Sequence, residues 1–216
     1  MGGKKRAKTM DVLMKMEFKT YKFDGVYKEV LGDPSTSGIW LLYGPSKNGK
    51  TTGALKLAKY MSQFSKILYV SAEEGLSKEF IQTCLAAGIK KENKNIQFVE
   101  YETIEEVEAR LSVRRAPGIV FLDNLTMYQD ELRGTRLKDL KNDHPNTLFI
   151  CIAHEDERKK PYGAAAKLAQ KLANVIIRAQ GMVLEVGGRA PGGKIFVDQY
   201  AARVIHGNDI KEGRSD

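Results

Sequence analysis

The stretch Gly44-Pro45-Ser46-Lys47-Asn48-Gly49-Lys50-Thr51-Thr52 sets two glycines ahead of a lysine and two hydroxyl residues. That spacing suits a polyphosphate. Gly44 and Gly49 allow the backbone to turn so that successive N–H groups point inward, and a helix starting at the loop's end adds unpaired donors and a positive dipole end. Lys50 is then expected on the β- and γ-phosphates of a nucleotide such as ATP, and the Thr51 hydroxyl on Mg²⁺. The flanks agree, because the apolar run 39–43 reads as a strand and 51–63 has helical periodicity. A glycine loop that merely caps a helix would not need the Lys-Thr pair in register.

Mg²⁺ in such a site requires a second anionic holder at the end of a buried strand. Four apolar residues, 119–122, lead into Asp123 and Asn124, which makes Asp123 the metal carboxylate, although a strand ending in Asp is also common as a simple turn or cap. Hydrolysis needs, in addition, a group that polarises water. Residues 67–71 form a further apolar run, followed by Ala72, Glu73 and Glu74. Both carboxylates could instead sit in the first turn of a helix over 76–87, where they would stabilise its N-terminus. That second reading fits Glu74 better than Glu73.

Placing these groups on one edge calls for a sheet whose strands run the same way. Apolar runs at 39–43, 67–71, 96–99, 119–122, 147–153 and 175–179 alternate with helix-length stretches, the βα rhythm of an α/β fold with a mainly parallel sheet. After Gln180-Gly181 the rhythm changes. Runs at 182–186, 194–197 and 202–205, with Gly187-Gly188 and residues 190–193 as turns, predict a small antiparallel extension. Residues 1–30 read as a basic tail and a short lead-in element, strand or helix, and 31–216 as the main domain. The 216 residues, 42% hydrophobic and 29% charged, fit one globular domain. Two cysteines, Cys84 and Cys151, are too few for a disulfide framework or a zinc site. No apolar run is long enough to span a membrane, and none follows the basic start as a leader would, so a cytoplasmic location is expected. The net charge is +8, and Lys4, Lys5, Arg6 and Lys8 supply half of it. Basicity alone therefore leaves nucleic acid an open question.

The ordered set of strand plus phosphate loop, strand plus Ser71-Ala72-Glu73-Glu74, strand plus Asp123, and strand plus His154 resembles the RecA-like ATPases over about residues 31–206. That family includes RadA-type repair proteins, KaiC-type ATPases and replicative hexameric helicases. The resemblance implies a three-layer domain with the His154 strand between those of the phosphate loop and Asp123. It makes Gly44 to Thr51 the Walker A loop, Asp123 the Walker B acid, Glu73 the catalytic carboxylate and His154 a γ-phosphate sensor. It likens residues 155–163 to a mobile DNA-contacting loop, where Arg158, Lys159, Lys160 and Tyr162 would suit single-stranded DNA; a solvated loop is the alternative. It places Arg189 where a basic finger reaches a neighbour's γ-phosphate in a ring or filament, although Gly187 stands where helicases often carry a second cation. The expected activity is Mg²⁺-dependent ATP hydrolysis by a homo-oligomer acting on DNA, in a helicase, recombination or annealing role. A regulatory ATP switch without DNA and a small-molecule kinase are the rivals.

Overall fold

The computed structural model describes residues 7–214. Its strands are β1 (Gly38–Gly44), β2 (Ile67–Ser71), β3 (Ile96–Val99), β4 (Ile119–Asp123), β5 (Leu148–His154), β6 (Val175–Gln180), β7 (Val183–Gly188) and β8 (Gly193–Phe196). They form one sheet in the order β3-β2-β4-β5-β1-β6-β7-β8. The pairings from β3 through to β6 are parallel, and those of β6 with β7 and β7 with β8 are antiparallel. As the resemblance implies, β5 lies between β4 and β1. Strands β1, β2 and β4 are buried along their whole length, which explains why they read as unbroken apolar runs: both faces are covered, so no polar alternation survives.

The connecting helices divide between the two faces. Helices α2 (Gly25–Leu31), α3 (Lys50–Met61) and α4 (Lys78–Ala86) bury Val30, Leu31, Leu55, Met61 and Phe80 in one core with Trp40, Tyr69 and Phe121. On the other face α5 (Ile104–Leu111), α6 (Arg136–Asp143) and α7 (Ala164–Leu172) bury Val107, Leu137, Leu140 and Ala169 against Ile39, Val120 and Phe149. Local chemistry starts several of these helices. Ser77 caps α4 by accepting from Phe80 N–H at 3.1 Å, and Thr103 with Glu106 forms a reciprocal capping box on α5. The lead-in element is helical at α2. It arrives through Tyr21 and Phe23, which are buried, and Tyr27 stacks on Tyr60 of α3 with ring centroids 3.8 Å apart. A further short helix, α1 (Met10–Met14), buries none of its residues. Lys4, Lys5 and Arg6 of the basic tail lie outside the described residues.

Two expectations fail in the C-terminal extension. Residues 202–205 are not a strand; they belong to α8 (Gln199–His206), whose cap is the Asp198 carboxylate accepting from Ala201 N–H at 2.8 Å. A four-residue stretch with a single arginine, Ala202-Arg203-Val204-Ile205, cannot distinguish the two periods by itself, and the cap decides it. Nor do Gly187 and Gly188 form a turn. They complete β7, where Gly188 (φ +83°) pairs with Val175, and the chain reverses over residues 189–192.

Candidate active site

Parallel register brings four strand ends to one edge. Gly44 of β1 lies opposite His154 of β5, and Ser71 of β2 opposite Asp123 of β4. Gly44 is required sterically, since a Cβ there would overlap the carbonyl oxygen of Ala179. The loop then bends through Lys47 (φ +61°) and Gly49 (φ +86°), the latter starting α3. Asn48 ties the loop to the β6–β7 turn by accepting from Gly181 N–H at 2.8 Å, and its own amide donates to Ser46 O at 2.8 Å. Lys50 donates to Pro45 O at 2.9 Å, folding its ammonium back over the loop. Ser46, Lys47, Gly49, Lys50, Thr51 and Thr52 line one side of a cleft of about 470 Å³, and Glu73, Glu74, Asp123 and His154 line the rest, with Thr83 and Met182.

The acids are held differently. Asp123 is 8% exposed and accepts from the Tyr69 hydroxyl at 2.6 Å. Burial pushes its carboxyl up to about 7, with Glu74 and Glu73 adding to the rise, while Tyr69 and Lys50 oppose it. Lys50 is shifted the other way: desolvation lowers its pKa, and the carboxylates of Asp123 and Glu73 counteract that. Helix α4 begins at Lys78 behind the Ser77 cap, so Glu73 and Glu74 precede it and neither is a first-turn residue. Ala72 N–H donates to Asp123 O at 2.6 Å, and Glu73 N–H to the same oxygen at 3.3 Å, which locks the two acidic segments together. The Glu73 side chain lies 3.2 Å from His154 Nε2 and accepts from the amide of Asn124.

Thr51 and Asp123 suit Mg²⁺. One hydroxyl and one carboxylate leave the remaining octahedral positions to water and phosphate oxygens, as this cation prefers. Among the described residues no cluster of three His, Cys, Asp or Glu could hold a metal by itself.

Arg189 is not brought to this cleft. Its N–H donates to Asn174 O at 2.8 Å, beside the start of β6, so it stands at the sheet edge opposite its own chain's phosphate loop. Residues 155–163 are more restrained than expected. Glu155 bridges to Pro161, Tyr162 N–H donates to His154 O at 2.8 Å, and Asp156 Oδ1 accepts from the N–H groups of Arg158 and Lys160 at 2.9 Å each. Glu155 makes a two-point ion pair with Arg178 at 2.7 and 2.9 Å. Arg158, Lys159, Lys160 and Tyr162 remain exposed. Sequence reasoning missed Tyr69, which reads only as a core aromatic, and gave Asn124 no role; the polar residue directly after Asp123 was the available signal.

Removing the buried charge tests this electrostatic picture. The folded-state pKa of Asp123 lies above its unfolded value, so its contribution to stability is complete below about pH 4 and lost as pH rises through about 7. Without Mg²⁺ or nucleotide, Asp123→Asn is expected to unfold at higher denaturant than the parent at pH 8, with the gain shrinking toward pH 5. A gain that does not change with pH would contradict the assignment.

No protein-family model and no curated protein matches the chain. Solved structures do. The KaiC-like protein PH0186 from Pyrococcus horikoshii OT3 superposes with a TM-score of 0.57 at 15% identity, covering 82% of this chain and 94% of that one. The flagellar accessory protein FlaH from Methanocaldococcus jannaschii gives 0.56 at 15% identity, with 91% and 92% covered. A third structure, an ATPase domain, gives 0.52 at 17%, with 74% and 80% covered. The sheet order, the antiparallel C-terminal edge and these superpositions together establish that the chain has a RecA-like α/β fold.

Proposed function

We propose that the protein is a Mg²⁺-dependent ATPase whose assembled form acts on single-stranded DNA. One observation carries the hydrolytic reading: Glu73, with side-chain partners on β5 and directly after β4, faces the phosphate loop across a shared cleft. Nucleotide binding alone would need only the loop. In this reading the loop N–H groups and Lys50 hold the phosphates, and Glu73 accepts a proton from the attacking water. Thr51 and Asp123 would hold Mg²⁺, which would supply positive charge to offset that of the phosphates. His154 contacts the γ-phosphate. Among the described residues no helix is long and apolar enough to cross a membrane.

The DNA reading rests on charge at residues 155–163. Arg178 neutralises Glu155, and Asp156 is engaged in closing the turn. Three exposed cations and the Tyr162 ring then face solvent with Glu157 as the remaining acid. Such a surface can hold a phosphate backbone and stack a base. Its root at His154 links it to the nucleotide cleft. The assembly reading rests on Arg189: a cation remote from its own phosphates can serve a neighbour's, and a repeated contact of that kind gives a ring or filament.

Glu73→Gln is expected to keep ATP affinity while slowing turnover by at least ~10²-fold, the scale of losing a positioned base. Steady-state kinetics with equilibrium nucleotide binding checks this, and the same loss in Glu74→Gln alone would transfer the role to its neighbour.

Neutralising Arg158, Lys159 and Lys160 together is expected to weaken single-strand binding and flatten its salt dependence. An unchanged salt slope moves DNA binding elsewhere. ATPase activity indifferent to DNA selects the regulatory switch, and phosphate transfer to an added acceptor selects the kinase.

Mixing Arg189→Ala with Lys50→Ala is expected to give more activity than the two variants measured apart, because each chain supplies what the other lacks. Strict additivity, or wild-type turnover by Arg189→Ala alone, removes the shared site.

A further inference from the structure

Asn124 stands between the two polar groups that reach over the cleft. It is 1% exposed. Its Oδ1 accepts from Thr126 N–H at 2.6 Å and also from the Thr126 hydroxyl. A backbone N–H can only donate, so the oxygen of the amide must face Thr126 and Nδ2 must face the cleft. The two Nδ2 protons have two neighbours: Glu73 Oε2, and His154 Nε2 at 2.9 Å.

This arrangement constrains both partners. An amide hydrogen aimed at an imidazole nitrogen meets a lone pair there only in the tautomer with the ring proton on Nδ1; in the other tautomer Nε2–H would donate to the Glu73 carboxylate. The Glu73 carboxylate lies 3.2 Å from that same Nε2. In the Nδ1–H tautomer two acceptors lie this close, and the hydrogens of the one buried amide relieve both. Because the amide is buried, water cannot replace it without a rearrangement of the site.

We propose that Asn124 is a positioning residue that fixes the Glu73 carboxylate against the cleft and selects the Nδ1–H tautomer of His154. Thr126 acts one step further out, orienting the amide. The proposal rests on the reading of Glu73 as the group that accepts the proton from water, and it adds a residue whose effect passes through that carboxylate and through His154. Nothing in the role requires Asn124 to touch nucleotide.

The test uses the full chain with Asn124→Ala and Thr126→Val, each alone and combined with Glu73→Gln. Asn124→Ala is expected to lower kcat at least ~10-fold with nucleotide affinity unchanged, and Thr126→Val to lower it less in the same direction. In the Glu73→Gln background each change should slow turnover by less than it does in the parent, because the part of its effect that passes through Glu73 is already lost and only the part through His154 remains. Nitrogen chemical shifts of His154 in the parent protein should be those of the Nδ1–H tautomer. Full additivity, unchanged kcat in both single variants, or a protonated Nε2 with a bare Nδ1 overturns the proposal. If Asn124→Ala does not fold, Thr126→Val and the parent's tautomer still decide it. Should Glu73→Gln turn over ATP at the parent rate, the base assignment falls instead, and the tautomer alone then decides whether Asn124 sets the histidine.

Discussion

Two opposite charges, Lys50 and Asp123, are almost removed from water on the same sheet edge, yet they do not neutralise each other by contact. The ammonium bonds to a loop carbonyl and the carboxylate to a tyrosine hydroxyl. Burial disfavours the charged form of each, as their opposed pKa shifts record. Buried charges of this kind are commonly neutral or unfavourable for the stability of a free chain. An arrangement that local stability does not favour is what the proposed site would require, with phosphate near the lysine and Mg²⁺ near the aspartate. The strand order serves this separation, because β5 spaces the phosphate-loop strand from the Asp123 strand and puts His154 in the gap.

Legibility in the sequence followed the distance over which each feature is determined. The phosphate loop was readable because two glycines, a lysine and a helix start are set by neighbours along the chain, and the buried strands because covering both faces demands continuous apolar residues. Asp123 was readable as a strand end and Glu73 as a residue just past one. Asn124 was not, since what it does depends on Glu73, 51 residues away, and Tyr69 meets Asp123 across 54 residues. Residues 202–205 failed for a different reason: a four-residue stretch holding one arginine fits a strand and a helix equally, and only the Asp198 cap distinguishes them. Arg189 could be placed on a turn but not on an edge, because which edge it occupies follows from the antiparallel direction of β7.

Similarity to the three solved structures lies between 15% and 17% identity, while the architecture is shared over most of each chain. Physical demand explains how so little sequence suffices. A buried parallel strand asks for apolar bulk rather than particular residues. Particular residues are required where backbone geometry or charge has no substitute. Gly44 is one, pressed against Ala179, and Lys50 is another.

The segment after His154 is tied where it leaves the sheet and free where it meets solvent. The Glu155–Pro161 bridge and the bond from Tyr162 back to His154 close residues 156–160 into a small lobe, and Arg178 clamps its base. A lobe closed on itself keeps its base bonded to the strand while its tip stands clear of it. Its tip can therefore change in length and composition without displacing the histidine at its base.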